Sequence, residues 1–198
     1  MPAALPRLCP DSSIKAPTSL LRPDRGAADI RDYDQWSRYG TAADWLDRLF
    51  TGIAEPIRVL EVGCNVLNLL PEFLDADRVR ITRCDTHTNG DGDPDYVQVA
   101  PGQPLPFEDE SFDAIVALEV LEHVPQSDRG GFVAECLRVA RHAVIMSCPD
   151  GSPAVEAAEG LANAEFERRH GRPHPFLLEH RQFGLPRESE VRDILRAL

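Results

Sequence analysis

The chain has 198 residues, 42% of them hydrophobic, and its 33 acidic against 21 basic side chains give a formal net charge of −12. This length suits one domain with a single core, and the acidic charge with scattered Lys and Arg argues against a nucleic-acid partner, since such partners are bound by clustered basic residues. No apolar run approaches the roughly 20 residues of a membrane span, and the amino terminus lacks a signal-peptide pattern. We therefore expect a cytoplasmic protein without membrane contact.

The first segment, residues 1–28, carries five prolines in its first 23 residues and no sustained periodicity. Proline disrupts both helices and sheet ladders, so we predict a flexible arm or an irregular wrap. From Asp32 to Gly52, large apolar residues recur at helical spacing between charged ones, which predicts one or two amphipathic helices. We place a core domain at residues 29–150 and a helical cap or tail at residues 151–198.

Short apolar runs alternate with helical patterns through the core domain. We predict helices at Leu67–Leu74 and Gly130–Val139. The short apolar runs are typical of strands buried on both faces. The wide spacing between these runs favours right-handed βαβ units over hairpins. The prediction is a Rossmann-like, doubly wound, mostly parallel α/β sheet. Its strands are Ile57–Val62, Val79–Cys84, Tyr96–Val99, Phe112–Leu118 and Ala143–Ser147.

The carboxyl-terminal part differs in pattern from the core. Ala154–Arg169 is rich in Ala and Glu and predicts a helix, and Glu188–Leu198 predicts a final one. Between them, residues 170–186 are interrupted by Pro and Gly, which predicts an irregular stretch. We expect this tail to cover the sheet rather than extend it.

Two acidic residues stand where the first two predicted strands end. In an open α/β sheet, ligands bind outside the carboxyl ends of the strands. Glu61 suits the ammonium of an amino-acid moiety, and Asp85 suits the hydroxyls of a ribose. Gly63 follows the first strand, where a missing Cβ lets a ligand approach the backbone. These charges fit a ligand with a ribose and an amino acid but no phosphate; the alternative is that Glu61 caps a helix and Asp85 opens a turn.

Three segments carry a family resemblance: VLEVGCNVLNLL, CDTH and LPFEDESFDAIVALEVLEHVP (residues 105–125). Together they resemble the class I S-adenosylmethionine-dependent methyltransferases. The resemblance implies S-adenosylmethionine as cofactor, with its methionine end near the first strand, its ribose on the second strand end and its adenine near the third. The residues so implied as cofactor-binding are Glu61, Gly63, Cys64, Asn65, Asp85, Gly102 and Glu119, the last of which also borders the acceptor.

Three positions depart from the family pattern. Asn65 and Leu67 replace the second and third glycines of the first motif, and Pro101 replaces an acidic residue near the adenine. The sequence also lacks a pattern for the last strand pair of the family's sheet, which indicates either a shortened variant or a sheet edge that a partner covers; an uncovered edge would favour a homodimer. We predict a methyltransferase acting on a small molecule or a glycan. The alternative, motivated by these departures, is an inactive methyltransferase-like domain that serves as a binding or assembly partner.

The remaining candidates for chemistry are histidines and cysteines. His123 and His180 are weak candidates for catalytic bases, because methyl transfer from a sulfonium depends mainly on in-line positioning. His170 and His174 are four residues apart, but Gly171 and a proline break any helix between them. The five cysteines form no CxxC pair, so we predict free buried thiols and no metal site.

Overall fold

The computed structural model describes residues 19–21, 33–64, 69–88 and 92–198. Five strands and five helices follow one another along this part of the chain, joined by 3₁₀ turns at Leu70–Glu72, Leu121–His123 and Gln126–Asp128. The strands are β1 (Ile57–Val62), β2 (Val79–Asp85), β3 (Tyr96–Gln98), β4 (Phe112–Leu118) and β5 (Ala140–Ser147). The helices are α1 (Tyr33–Phe50), α2 (Arg129–Val139), α3 (Pro153–His170), α4 (Pro175–Phe183) and α5 (Glu188–Ala197).

The strands form one parallel sheet in the order β3-β2-β1-β4-β5. The chain starts at β1 in the middle, runs outward through β2 and β3, and then crosses to β4 and β5 on the other side. The order therefore reverses between β1 and β4, and a sheet of this kind binds its ligand beside that switch point. The predicted doubly wound α/β fold with a helical carboxyl-terminal tail is confirmed.

The sheet separates two apolar layers because side chains alternate across each strand. On one face, Val59 and Val116 pack against α1 through Leu46 and its neighbours. On the other face, Leu60 and Ile115 belong to a cluster with Cys136 and Val139 of α2. The central strands are buried on both sides, which explains why they are continuous apolar runs in the sequence.

Two local predictions are wrong. The helix predicted at Leu67–Leu74 is a single 3₁₀ turn in its described part, Leu70–Glu72. Pro71 lacks an N–H to donate, so it fits the first turn of a helix and not its interior. The stretch predicted as irregular contains the nine-residue helix α4. There Pro175 takes the first helical turn, where proline is tolerated, and Gly184 ends the helix with φ +73°.

The helices of the tail are tied to one another and to the core. The buried Asn163 of α3 accepts a hydrogen bond from the backbone N–H of His174 (2.8 Å), immediately before α4. α4 in turn packs on the 3₁₀ turn Leu121–His123 that follows β4. The tail thus lies against the carboxyl end of the sheet, where the candidate site is expected.

Most of the predicted amino-terminal arm lies outside the described residues. In residues 19–21, the Leu20 side chain is fully buried in the α1 layer. Its backbone carbonyl accepts a hydrogen bond from the Asp75 N–H (2.8 Å), and Leu21 forms an antiparallel bridge with Leu74. This short stretch therefore packs against the core, and the form of the arm as a whole stays a prediction. The division into residues 1–28, 29–150 and 151–198 stays a prediction.

The described thiols agree with the prediction for cysteine. Cys64, Cys84 and Cys136 are buried and free, and Cys148 is free and half-buried. Cys9 lies outside the described residues. Every helix in the described ranges is too short or too polar to cross a membrane.

Candidate functional site

The backbone turns sharply at Gly63, directly after β1. Gly63 has φ +74°, and its N–H donates to the Cys84 carbonyl (2.8 Å) at the end of β2. A Cβ at this position would lie 2.4 Å from Cγ2 of Val120, which follows β4. Both the left-handed backbone and this close approach require glycine. Gly63 therefore joins the ends of β1, β2 and β4 at the switch point.

Replacing Gly63 by alanine is expected to destabilise the fold more than the same change at another left-handed glycine. We expect Gly63→Ala to lower the free energy of unfolding by about 3 kcal/mol, since a left-handed residue costs about 1 to 2 kcal/mol and overpacking about as much again. Gly52 is the matched control, because it has φ +87° and open space around its Cβ position. Urea unfolding should show a smaller loss of unfolding free energy for Gly52→Ala than for Gly63→Ala, and the double variant Gly63→Ala/Val120→Ala should recover part of the loss. Equal losses at the two glycines would contradict the steric argument.

Glu61 is a buried carboxyl group in the penultimate position of β1. Glu61 is 2% exposed, and its side chain accepts a hydrogen bond from the Tyr39 hydroxyl of α1. Its Oε2 atom has no hydrogen-bond partner among the described residues. Burial raises the pKa of Glu61 to about 8, Asp85 adds to the rise, and Arg83 and Tyr39 oppose it. An orphaned buried carboxylate oxygen favours a cationic ligand at this place.

Asp85 ends β2, the strand next to β1. Its Oδ1 accepts hydrogen bonds from the backbone N–H of His87 (3.0 Å) and lies 3.1 Å from His87 Nδ1. The Asp85 side chain is 11% exposed, whereas the His87 side chain is 80% exposed. Asp85 is close enough to raise the pKa of Glu61. The structure therefore brings the two predicted carboxylates to one edge of the sheet.

Three further residues were predicted to bind the cofactor: Cys64, Asn65 and Gly102. Cys64 is buried beside Glu61, and burial raises the pKa of its thiol to about 12, so it is no nucleophile at neutral pH. Asn65 and Leu67 lie outside the described residues. Gly102 lies in the loop after β3 with φ +69°, and the Gln103 N–H donates to the Ala100 carbonyl (3.3 Å) across it.

Pro101 and Gly102 occupy the two central positions of that turn. Proline at the first and glycine in a left-handed conformation at the second are typical of a type II turn. Pro101, which departs from the family pattern, therefore has a structural role of its own in shaping this loop. The position that would face the adenine is held by backbone geometry rather than by an acidic side chain.

Glu119 follows β4 in a left-handed conformation, with φ +56°. Its N–H donates to the Ser147 carbonyl and its Oε1 accepts from the Ser147 hydroxyl, both at 2.9 Å. Its Oε2 lies 3.9 Å from Nη1 of Arg38 on α1. A non-glycine residue in this conformation is strained, and such strain persists where the surroundings fix it. Glu119 thus holds a carboxylate at the end of β4 as predicted.

His123 and His180, the two candidate bases, meet although 56 residues separate them in the chain. Their Nε2 atoms are 3.3 Å apart. His123 Nδ1 lies 2.8 Å from Glu179 Oε2, and His180 Nδ1 lies 2.9 Å from Glu159 Oε1. Burial lowers the pKa of His123, and Glu179 opposes this shift.

Glu122 completes this group and was missed by the sequence analysis. It is 1% exposed, its Oε2 has no hydrogen-bond partner among the described residues, and burial raises its pKa to about 8. Glu122, His123 and His180 each offer one ligand atom, and these atoms lie within 4.8 Å of one another. Spacing arguments could not find the group, because α4 brings His180 to the turn after β4 only in the folded chain.

Comparison with known proteins identifies the fold family. Residues 60–148 match a family model described as a methyltransferase domain. This segment is similar to methyltransferase domains. It spans β1 to the end of β5, and therefore includes the strand ends that carry Glu61, Asp85 and Glu119. The predicted family resemblance is confirmed, and S-adenosylmethionine is the cofactor that this family uses.

Solved structures share the fold at low sequence identity. An S-adenosylmethionine-dependent methyltransferase from Aquifex aeolicus has 18% identity and a TM-score of 0.51, covering 88% of this chain and 85% of its own. Magnesium protoporphyrin IX methyltransferase from Synechocystis, solved with bound S-adenosylhomocysteine, has 15% identity and a TM-score of 0.54, covering 88% and 82%. A Haloferax volcanii complex of the activator Trm112 with its proposed methyltransferase has 18% identity and a TM-score of 0.54, covering 93% and 76%.

A curated relative extends the likeness to sequence. An uncharacterized protein from Haemophilus influenzae is 31% identical in an alignment of 112 residues that covers 50% of this chain. The chain spans less than half of that relative, since the match covers 44% of the relative's length. At these identities, the solved structures show the fold of the methyltransferase domain.

Proposed function

We propose that this chain is an S-adenosylmethionine-dependent methyltransferase that acts on a small molecule or a glycan. The observation that carries the proposal is the buried, unpartnered carboxylate oxygen of Glu61 beside the left-handed turn at Gly63. A carboxylate in this position costs free energy unless a cation or a donor meets it. The amino group of S-adenosylmethionine is such a cation and such a donor.

The rest of the cofactor fits the neighbouring strand ends. Asp85, at the end of β2, can accept two hydroxyl hydrogen bonds from a ribose. Both anchoring groups are acidic, which suits a ligand without phosphates. The type II turn at Pro101 and Gly102 follows β3, the next strand outward, and gives the adenine a backbone surface with open space above Gly102.

The acceptor would lie between the end of β4 and α4. S-adenosylmethionine supplies the methyl group, and its transfer depends chiefly on holding the acceptor atom in line. Glu119 faces this side of the sheet, fixed by Ser147, and His123 and His180 lie where α4 meets the turn after β4. The net charge of −12 argues against a nucleic-acid acceptor and favours a small molecule or a glycan.

Removing Asp85 is expected to weaken cofactor binding. Isothermal titration of Asp85→Ala with S-adenosylhomocysteine should show an affinity roughly 10 to 100-fold below that of the unaltered chain, because hydrogen bonds to a charged acceptor are lost. Asp77→Ala is the control, since Asp77 is an exposed carboxylate before β2. Tight binding that survives Asp85→Ala would place the ribose elsewhere.

The same titration distinguishes an active methyltransferase from the alternative, an inactive methyltransferase-like domain. An unaltered chain that binds neither S-adenosylmethionine nor S-adenosylhomocysteine at millimolar concentration would favour a binding or assembly partner. Within the described residues, β5 pairs with a strand on one side alone, so the sheet edge expected to favour a homodimer is present. The homodimer stays a prediction.

A further inference from the structure

The histidine pair at the cap has a defined arrangement of protons. Nδ1 of His123 faces a carboxylate oxygen of Glu179, and Nδ1 of His180 faces one of Glu159. A carboxylate accepts hydrogen bonds, so each Nδ1 carries the proton and donates it. An imidazole that carries its single proton on Nδ1 presents Nε2 as a bare lone pair.

These two lone pairs point at the same small volume, because the Nε2 atoms of His123 and His180 are 3.3 Å apart. Two acceptors at that distance repel each other unless a proton or a metal ion lies between them. Two imidazole nitrogens bound to one tetrahedral ion at about 2.0 to 2.1 Å stand about 3.3 to 3.4 Å apart. The observed separation equals the edge of that tetrahedron.

A third ligand faces the same volume. The Glu122 side chain is 1% exposed, and its Oε2 has no hydrogen-bond partner in the part of the chain that the structure describes. One ligand atom each from Glu122, His123 and His180 fits within 4.8 Å. A buried carboxylate oxygen without a donor is costly, and an ion satisfies it together with both lone pairs.

We propose that Nε2 of His123, Nε2 of His180 and a carboxylate oxygen of Glu122 bind a divalent first-row transition-metal ion. Two imidazoles and one carboxylate suit such an ion better than Mg²⁺, which prefers oxygen ligands. Glu179 and Glu159 orient the two imidazoles and raise their basicity, as carboxylates do behind metal-bound histidines. This site replaces the sequence-based prediction that the chain holds no metal.

The proposal is independent of the proposed methyl transfer, because it rests on side chains that the cofactor residues do not include. The two sites are nevertheless neighbours. Val120, two residues before Glu122, lies against Gly63, and Glu119 influences the pKa values of Glu122 and His123. Three protein ligands leave at least one coordination position of the ion open.

Cobalt binding to the full chain tests the site directly. After treatment with a chelator, and without any cofactor, the chain is dialysed against Co²⁺, and the bound ion is counted and followed by its visible absorption. We expect one Co²⁺ per chain, displaced by Zn²⁺ but not by an equal concentration of Mg²⁺. His123→Ala and His180→Ala should lower the affinity more than 100-fold, and Glu159→Gln roughly 10 to 100-fold.

Two controls keep the result interpretable. His142→Ala removes an exposed histidine of β5 outside the group, and should leave Co²⁺ binding unchanged. Glu122→Gln keeps the shape of the buried side chain. If circular dichroism shows that this variant is folded and its Co²⁺ affinity is lost, the loss reflects a missing ligand and not structural damage.

The proposal is overturned if the chain binds no Co²⁺, or if folded His123→Ala and His180→Ala bind it with unchanged affinity. A proton shared between the two rings would then explain their contact. Titration with S-adenosylhomocysteine on the same sample reports separately on the proposed function.

Discussion

Arg129→Ala is expected to lower the free energy of unfolding by about 3 to 5 kcal/mol, the range found when one partner of a buried ion pair is removed. Arg129 is 1% exposed at the start of α2. Its Nη1 donates to both carboxylate oxygens of Glu190 on α5, at 2.9 and 3.0 Å. Its loss leaves the Glu190 carboxylate without its partner in a largely buried position.

The same guanidinium also contacts backbone carbonyls of the turn after β4 and of the cap. Its Nε lies 3.3 Å from the carbonyl of Leu121, the first residue of that 3₁₀ turn, and 3.2 Å from the carbonyl of Val124, the residue after it. Its Nη2 donates to the carbonyls of Phe183 and Gly184, at the end of α4. Since arginine alone offers five donors in a planar fork, we expect Arg129→Lys to recover only part of the loss.

Thermal unfolding measures this effect. For a domain of about 200 residues, 3 to 5 kcal/mol corresponds to a fall in Tm of roughly 6 to 20 °C. Arg168→Ala is the matched control, because Arg168 pairs with Glu165 on the exposed face of α3 and should leave Tm unchanged. A fall in Arg129→Ala no larger than that of Arg168→Ala would show that the cap does not depend on this side chain.

The sheet could be predicted from the sequence because its central strands are buried on both faces. Ile57–Val62 and Phe112–Leu118 have the bounds that their apolar runs predict. Parallel strands in a doubly wound order place their carboxyl ends on one edge, so Glu61 and Asp85 could be identified as neighbours before their contacts were known. Proline is an ambiguous signal for short helices, because it is tolerated in the first helical turn and disfavoured in the interior. The prediction was therefore wrong around Pro71, after β1, and around Pro175, in α4.

The histidine pair could not be predicted, because no local pattern relates His180 to His123. Their meeting depends on where α4 lies, and that position depends on tertiary contacts, among them the Arg129 hydrogen bonds to Phe183 and Gly184. Glu122 carried no signal either, since a single acidic residue after a strand is commonly exposed. The part of the site built on strand ends followed from the sequence, whereas the part built by the cap required the fold.

Cofactor binding is expected to release a proton from Glu61, and its affinity should rise with pH. In the free protein, burial raises the pKa of Glu61 from its ordinary value of 4.5 to about 8. At pH 6 to 7.5 the group is therefore mostly protonated, and a cationic ligand must displace that proton to gain a carboxylate partner. The affinity for S-adenosylhomocysteine should then increase by nearly tenfold per pH unit well below that pKa, or roughly 25-fold from pH 6 to pH 7.5.

A rise in pH strengthens cofactor binding through Glu61, but it lowers the contribution of Glu61 to the stability of the fold. Because the folded chain holds the Glu61 proton more tightly than the unfolded chain does, this group's contribution to stability is complete below pH 4.5 and is lost as the pH rises through about 8. Ligand binding offsets that loss, since a bound ammonium group stabilises the charged form. The stabilisation of the fold by the ligand should therefore be larger at pH 7.5 than at pH 6.

Calorimetric titration in two buffers of different ionisation enthalpy counts the released protons at each pH. Glu61→Gln is the control, because glutamine keeps the shape and the Tyr39 contact but cannot titrate; its affinity should be lower and independent of pH over this range. The unaltered chain should release close to one proton at pH 6. If its affinity does not change from pH 6 to pH 7.5 although Asp85→Ala weakens binding as expected, the amino group of the ligand does not meet Glu61, and the methionine end of the cofactor lies elsewhere.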